Sequence, residues 1–236
     1  MTKVLVLDAG HGMGTPGKQT LDGSKGVIKE FALNQAVVEK IAAILSAYDV
    51  EIKYTHDLTG ATDVLLSKRV ERCNQYNPDL FISIHHNAYQ SKWGNHGGVE
   101  VYHHSKGTAE DKKFATLLAP KLAESTGLRN RGVKNAEFTV LCCKATAVLV
   151  EGGFMDSNTD YSVITSDKGQ QAYAQAVADA VIQYLGLTKK PTAASNSSTF
   201  YQVIVGSYAE RSNADKIKAK LESQGYTGVW INVTQK

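Results

Sequence analysis

The sequence predicts an α/β fold, in which a sheet is covered by helices on both faces, followed by a small βαβ unit. Three observations carry that prediction. Short apolar, β-branched runs alternate with helix-like stretches over the first 188 residues, the order that builds layered α/β domains. The segment "TKKPTAASNSST", Thr188 to Thr199, then breaks the pattern with Ser, Thr, Ala, Lys and one Pro, a composition that stays solvated and buries no core. Beyond it come one strand-like, one helix-like and one strand-like segment. The chain is thus expected to divide into a large domain at 1–188, a linker at 189–198 and a small unit at 199–236.

The large domain rests on three buried-strand candidates. "KVLVLDAG", "DLFISIHHNA" and "TAVLVEGGF" are apolar runs of strand length, placed as neighbours in the middle of the sheet because both of their faces are apolar. Each ends abruptly in polar residues. His11 follows the first, His85 and His86 close the second, and Glu151 lies within the third. In open α/β sheets ligands collect at the carboxyl ends of strands, so these distant residues are expected in one cleft.

The helix candidate "GSKGVIKEFALNQAVVEKIAAILSAY" carries Leu33, Val37, Ile41, Ile44 and Leu45 at helical spacing, a stripe that faces the core. Glu30 stands at its start. A carboxylate there favours the helix N-terminus by about 0.3–1 kcal/mol, so it serves the helix whether or not it serves a site. In the small unit, "FYQVIVGSY", "RSNADKIKAKLESQGY" and "GVWINV" read as strand, helix and strand, with a cap at Ser212 or Asn213 and a stop at Gly225.

Composition narrows the function classes. With 42% hydrophobic and 21% charged residues, the 236-residue chain can bury a core. Its net charge of +3 suits an anionic surface such as a bacterial wall, but no clustered Lys/Arg stripe marks a nucleic-acid binder. Cys73, Cys142 and Cys143 are too few and too awkwardly placed for a disulfide scaffold. No apolar run reaches the roughly 18 residues of a membrane span. Met1 leads straight into a strand-like segment without a signal-peptide layout, so the chain is expected to be made in a reducing cytosol and, if its target lies outside, to be released by another agent.

Two histidines and a carboxylate form a common ligand set for catalytic zinc, with the remaining position left to water. His11, His85 and Glu30 supply such a set, and Glu151 is then the additional carboxylate that takes a proton from water and gives one to a leaving nitrogen. The spacing is long-range, and buried structural histidines beside a stabilised helix start fit the same residues.

"VLDAGHG", "GVIKEFALN", "LFISIHHNA" and "AVLVEGGFMDS" together resemble the zinc-dependent N-acetylmuramoyl-L-alanine amidases of phage lysins and sporulation-lysis enzymes, over about Lys3 to Leu187. The resemblance implies that His11, Glu30 and His85 ligate zinc and that Glu151 is catalytic. It also implies an open, twisted, mostly parallel sheet flanked by helices on both faces, and cleavage of the amide between N-acetylmuramic acid and L-alanine in peptidoglycan. "LLSKRVERCNQYNPDLF" is similar to the family helix before the second-histidine strand, with Arg69 expected to support structure and Asn87 to orient the site or cap the strand end. The sequence departs from the family at Cys142 and Thr146, where an Arg and a Pro are usual, so substrate contacts there are expected to differ.

Other readings of the chemistry are a zinc peptidase acting on stem peptides and a wall-binding protein without activity. The tail, through "VGSY" and "NADKIKAKLESQGY", resembles half of a SPOR repeat, which binds peptidoglycan glycan. A unit of under 40 residues is marginal alone, so it is expected to dock on the catalytic domain or to pair with a second copy in a homodimer.

The other histidines have structural or solvated expectations. His86 points to the opposite face from His85, whereas His56, His96, His103 and His104 are expected at the surface. Cys142 and Cys143 are expected as small apolar fillers. Trp93 or Tyr102 is a candidate for stacking on sugar or peptide.

Overall fold

The computed structural model describes residues 2–191, 206–226, 229, 231 and 233. The chain forms two compact units, Met1–Pro191 and Thr192–Lys236. The first contains six strands, β1 (Lys3–Ala9), β2 (Val50–Tyr54), β3 (Leu80–Asn87), β4 (Val99–His104), β5 (Asn130–Ala136) and β6 (Thr146–Phe154). Its helices are α1 (Glu30–Leu45), α2 (Leu66–Tyr76), α3 (Ala109–Thr126), α4 (Tyr161–Ile164) and α5 (Asp167–Leu185), with a short 3₁₀ turn at Thr139–Leu141.

The strands form one sheet in the order β2-β1-β3-β6-β4-β5. The expected central trio, β1, β3 and β6, lies side by side and parallel. One pairing departs from the parallel pattern: β4 runs antiparallel to β6. The 88–98 connection from β3 contains no helix, so the chain does not cross back over the sheet. It enters β4 at the rim where β3 ends.

The larger core layer lies between the sheet and α1, α3 and α5. Leu33, Val37, Ile41 and Leu45 of α1 are buried there as their spacing requires, with Ile44 partly buried beside them. A smaller layer on the opposite face gathers Val6, Phe81 and Leu149 of the sheet with Cys73 of α2 and Val140 and Leu141 of the 3₁₀ turn. Helix ends follow ordinary capping chemistry. Thr108 and Asp111 close a capping box on α3, and Gly127 ends that helix at φ +72°.

In the second unit α6 spans Arg211–Ser223. It starts ahead of the expected caps at Ser212 and Asn213, with Glu210 at the cap position and no side chain bonding the first turn. These residues are exposed, so water satisfies those amides. The stop at Gly225 holds, with φ +90° just after the helix. The segments Phe200–Tyr208 and Gly228–Val233, expected as strands, and the linker beyond Pro191 lie wholly or largely outside the described residues. Among the described residues no helix is long and apolar enough to cross a membrane.

Candidate metal centre

His11 stands two residues past the end of β1, in the left-handed region at φ +67°, a conformation that costs a non-glycine residue energy unless its surroundings hold it. Arg69 does so. Its Nη2 donates to the His11 carbonyl at 2.7 Å, and its Nη1 donates to the Ala9 carbonyl at 2.7 Å. Gly10 is required between them, because a Cβ there would collide with the His85 ring. His85 lies near the end of β3 on the sheet face shared with Phe81.

Glu30 is the first residue of α1 and is 1% exposed. Its Oε1 lies 3.1 Å from His85 Nδ1 and accepts from the His86 amide at 3.3 Å. Its Oε2 lies 3.3 Å from His11 Nε2 and 3.9 Å from Lys18 Nζ, yet this buried oxygen makes no hydrogen bond. The rings of His11 and His85 meet edge to face, with centroids 4.9 Å apart. One ligand atom from each of His11, Glu30 and His85 falls within 4.8 Å of the others.

Burial alone would raise the Glu30 carboxyl, but the imidazoles of His11 and His85 hold it far below the usual carboxylate range. Burial would likewise lower His85, but Glu30 outweighs it and raises the imidazole. Two imidazole nitrogens and an ionised oxygen facing one point are a donor set that suits a divalent cation such as zinc. The unpartnered Glu30 oxygen points the same way, since leaving a buried charged acceptor unsatisfied costs more than a typical hydrogen bond gains.

Glu151 is the register partner of His85 on β6, on the same sheet face. Its Oε2 is also buried without a hydrogen-bond partner. Burial pushes its carboxyl up to about 7, the pull of His85 being outweighed by burial and by the negative charge of Glu30. On the β1 side of His85, away from Glu151, a cavity of about 270 Å³ opens between His11, His85, Leu65, Leu66 and Val140.

All four predicted residues therefore meet at the end of the central strands, and the structure adds supports that the sequence reading did not single out. Asn34, one helical turn after Glu30, donates to the Gly10 carbonyl at 3.1 Å and accepts from His86 Nδ1 at 2.8 Å. Its i, i+4 spacing from Glu30 was the available signal. His86 faces away from His85 as expected, and burial lowers its imidazole to about 4.

Several expectations change. His56 is buried rather than solvated: its Nδ1 accepts from the Ala9 amide at 3.0 Å and its Nε2 reaches Gln35 at 2.8 Å. His96 pairs with Asp156 at 2.8 Å, and His103 and His104 are half-buried. Cys142 is exposed, 3.7 Å from His104 Nε2, so it fills no core. The stacking candidates are not overturned: Trp93 is exposed and packs edge to face on Tyr161, and Tyr102 is tied by its hydroxyl to Glu100 at 2.6 Å.

The family model for N-acetylmuramoyl-L-alanine amidase matches residues 5–183, and that for the SPOR domain matches residues 158–232. The second match takes in α4 and α5, although α5 packs on α1 and α3 within the first unit. N-acetylmuramoyl-L-alanine amidase CwlM of Bacillus licheniformis is 27% identical over 232 residues, covering 98% of this chain and 85% of that protein. The endolysin of Bacillus phage SPP1 is 32% identical over 199 residues, covering 80% and 69%. The crystal structure of an N-acetylmuramoyl-L-alanine amidase from Clostridium difficile 630 superimposes with a TM-score of 0.71 at 26% identity, covering 78% of this chain and 97% of that one. With three quarters of its length inside the family model and His11, Glu30 and His85 gathered at the sheet rim as a group that could hold a metal ion, the chain belongs to the N-acetylmuramoyl-L-alanine amidase family.

Proposed function

We propose that this chain hydrolyses the amide between N-acetylmuramic acid and L-alanine of bacterial peptidoglycan, with zinc held by His11, Glu30 and His85 and with Glu151 as the catalytic carboxylate. The observation that carries the reading is the buried Glu30 carboxylate set between the His11 and His85 imidazoles, with its Oε2 making no hydrogen bond. Zinc bound there supplies a Lewis acid that polarises the scissile carbonyl and acidifies water. Glu151 takes the proton of the attacking water and delivers it to the leaving nitrogen. A carboxyl raised to about 7 suits both halves of that task near neutral pH.

The experiment is metal analysis of the purified chain joined to mass spectrometry of a wall digest. Bound zinc, new amino-terminal alanine and intact stem peptides are the expected result. Shortened stems would assign a peptidase, and an undigested wall with normal binding would assign a wall-binding protein.

We further infer that residues 199–236 form the wall-binding part of the SPOR match, because α5 is committed to the core of the first unit. Removing 199–236 should leave cleavage of soluble muramoyl-peptides unchanged and reduce sedimentation with insoluble peptidoglycan. Light scattering of the same two chains tests pairing: equal monomer masses would exclude a homodimer through this unit. The site of action is the wall, in keeping with the endolysin among the relatives.

A further inference from the structure

On the side of Glu151 away from His85, the sheet carries a second polar cluster that the hydrolysis itself does not use. Glu100 of β4 is the register partner of Glu151 and is 1% exposed. Its Oε1 accepts from Arg131 Nε and from Lys134 Nζ, the latter at 2.6 Å. Its Oε2 accepts from the Tyr102 hydroxyl at 2.6 Å and from Asn87 Nδ2 at 3.5 Å. Glu100 is saturated and has no capacity left for a ligand.

The cations are not. Two positive side chains face this one carboxylate, which leaves a net positive charge beside the proposed catalytic group. Arg131 spends Nε on Glu100 and reaches the Gly97 carbonyl with Nη1 at 3.5 Å. Its Nη2 has no protein partner among the described residues. The guanidinium lies over the Phe154 ring, 5.0 Å from its centroid, and the side chain is 25% exposed. It is therefore a fork fixed on two sides and open on a third, the geometry that receives a carboxylate.

We propose that Arg131, held by Glu100 and Phe154, receives the free carboxylate of the stem residue that follows alanine, and so selects stems bearing that carboxylate over stems bearing a carboxamide. The proposal rests on the amidase reading of the site. The cavity beside His11 lies on the opposite side of His85, which leaves the β4 side of Glu151 to the peptide. A group two residues from the scissile nitrogen reaches roughly 7 Å along an extended chain. Neighbouring strands lie about 4.8 Å apart, so that reach carries the group past β6 to the ground over β4 where Arg131 bonds Glu100. If the cluster only ties β5 to β4, it will not sense what the peptide carries.

The test uses the zinc-loaded full chain and two soluble probes, N-acetylmuramoyl-L-alanyl-γ-D-glutamyl-L-lysine and the same peptide with D-isoglutamine. Cleavage is measured with the unaltered chain and affinity by calorimetry with Glu151→Gln. The carboxylate probe should be favoured about 10-fold to 100-fold in both readouts, the range of a charge-assisted hydrogen bond. Arg131→Gln should remove the preference, and Arg131→Lys, which keeps charge without the fork, should reduce it. Equal handling of the two probes by the unaltered chain overturns the proposal even if no variant folds, as does an undiminished preference in folded Arg131→Gln. Should neither probe be cut at the muramoyl amide, the amidase reading fails, and the calorimetric ratio still decides the role of Arg131.

Discussion

Arg69 and Asp8 form a buried ion pair, Nη1 to Oδ1 at 2.7 Å, with both side chains 1% exposed. Burial would raise the Asp8 carboxyl, but Arg69, Thr55 and Ser83 together hold it low. The same guanidinium grips the His11 carbonyl, so the ion pair at the end of β1 fixes the backbone that presents His11, the proposed zinc ligand. Arg69→Met strands the Asp8 charge in the core, a loss of about 3–5 kcal/mol by analogy with other broken buried pairs. It should also weaken zinc affinity by roughly 10-fold to 100-fold, as loss of outer-shell support does. Urea unfolding and competition with a zinc chelator measure the two effects.

Glu151→Gln keeps the shape of the site and should keep its zinc. Turnover should fall by roughly 100-fold to 10,000-fold, the usual share of a general acid-base group. The carboxyl must be ionised to accept a proton, and its raised value of about 7 places that requirement near neutrality. Bound zinc lowers that value, so the rate of the unaltered chain should decline on the acid side, approaching tenfold per pH unit, from a point below about 7. A rate profile at fixed zinc saturation checks this; an unchanged acid limb in the residual activity of Glu151→Gln would assign the limb to another group.

Gly10→Ala adds one methyl group where the His85 ring already lies. The imidazole has to swing away from Glu30, so zinc occupancy should drop with a much smaller change in secondary structure. Elemental analysis alongside circular dichroism separates that outcome from unfolding.

His56 makes stability sensitive to mild acid. Burial lowers its imidazole below the ordinary value near 6.5, and its Nδ1 must stay unprotonated to accept the Ala9 amide. The native state disfavours the proton that the unfolded chain takes up, so this contribution is complete above about pH 6.5 and is lost as pH falls below it. His56→Leu should shrink the drop in urea midpoint between about pH 7 and pH 5, even if it lowers stability at both.

Much of this site was readable from the chain because three apolar runs end abruptly at ionisable residues. His11, His85 and Glu151 could be placed at one rim by that local contrast, whereas Glu30 could not, because a carboxylate at a helix start serves the helix either way, and only the family resemblance brought it to the site. What resisted reading depends on neighbours distant in sequence. Nothing in "GVEVYHH" announces that β4 runs against β6 and sets Glu100 beside Glu151. His56 sits among polar residues in the chain, yet contact with Phe31 and Gln35 of α1 buries it. Cys142 read as an apolar filler because its composition says nothing of the turn that leaves it exposed.

The reversed direction of β4, shared by its parallel partner β5, sorts the connections of this molecule between two ends. Segments leading into those strands border the chemistry, whereas the exposed turn after β4, at Ser105 to Gly107, hangs beneath the opposite edge. A fluorophore or surface tether attached at that turn would report on the enzyme at work without obstructing the entrance used by the wall.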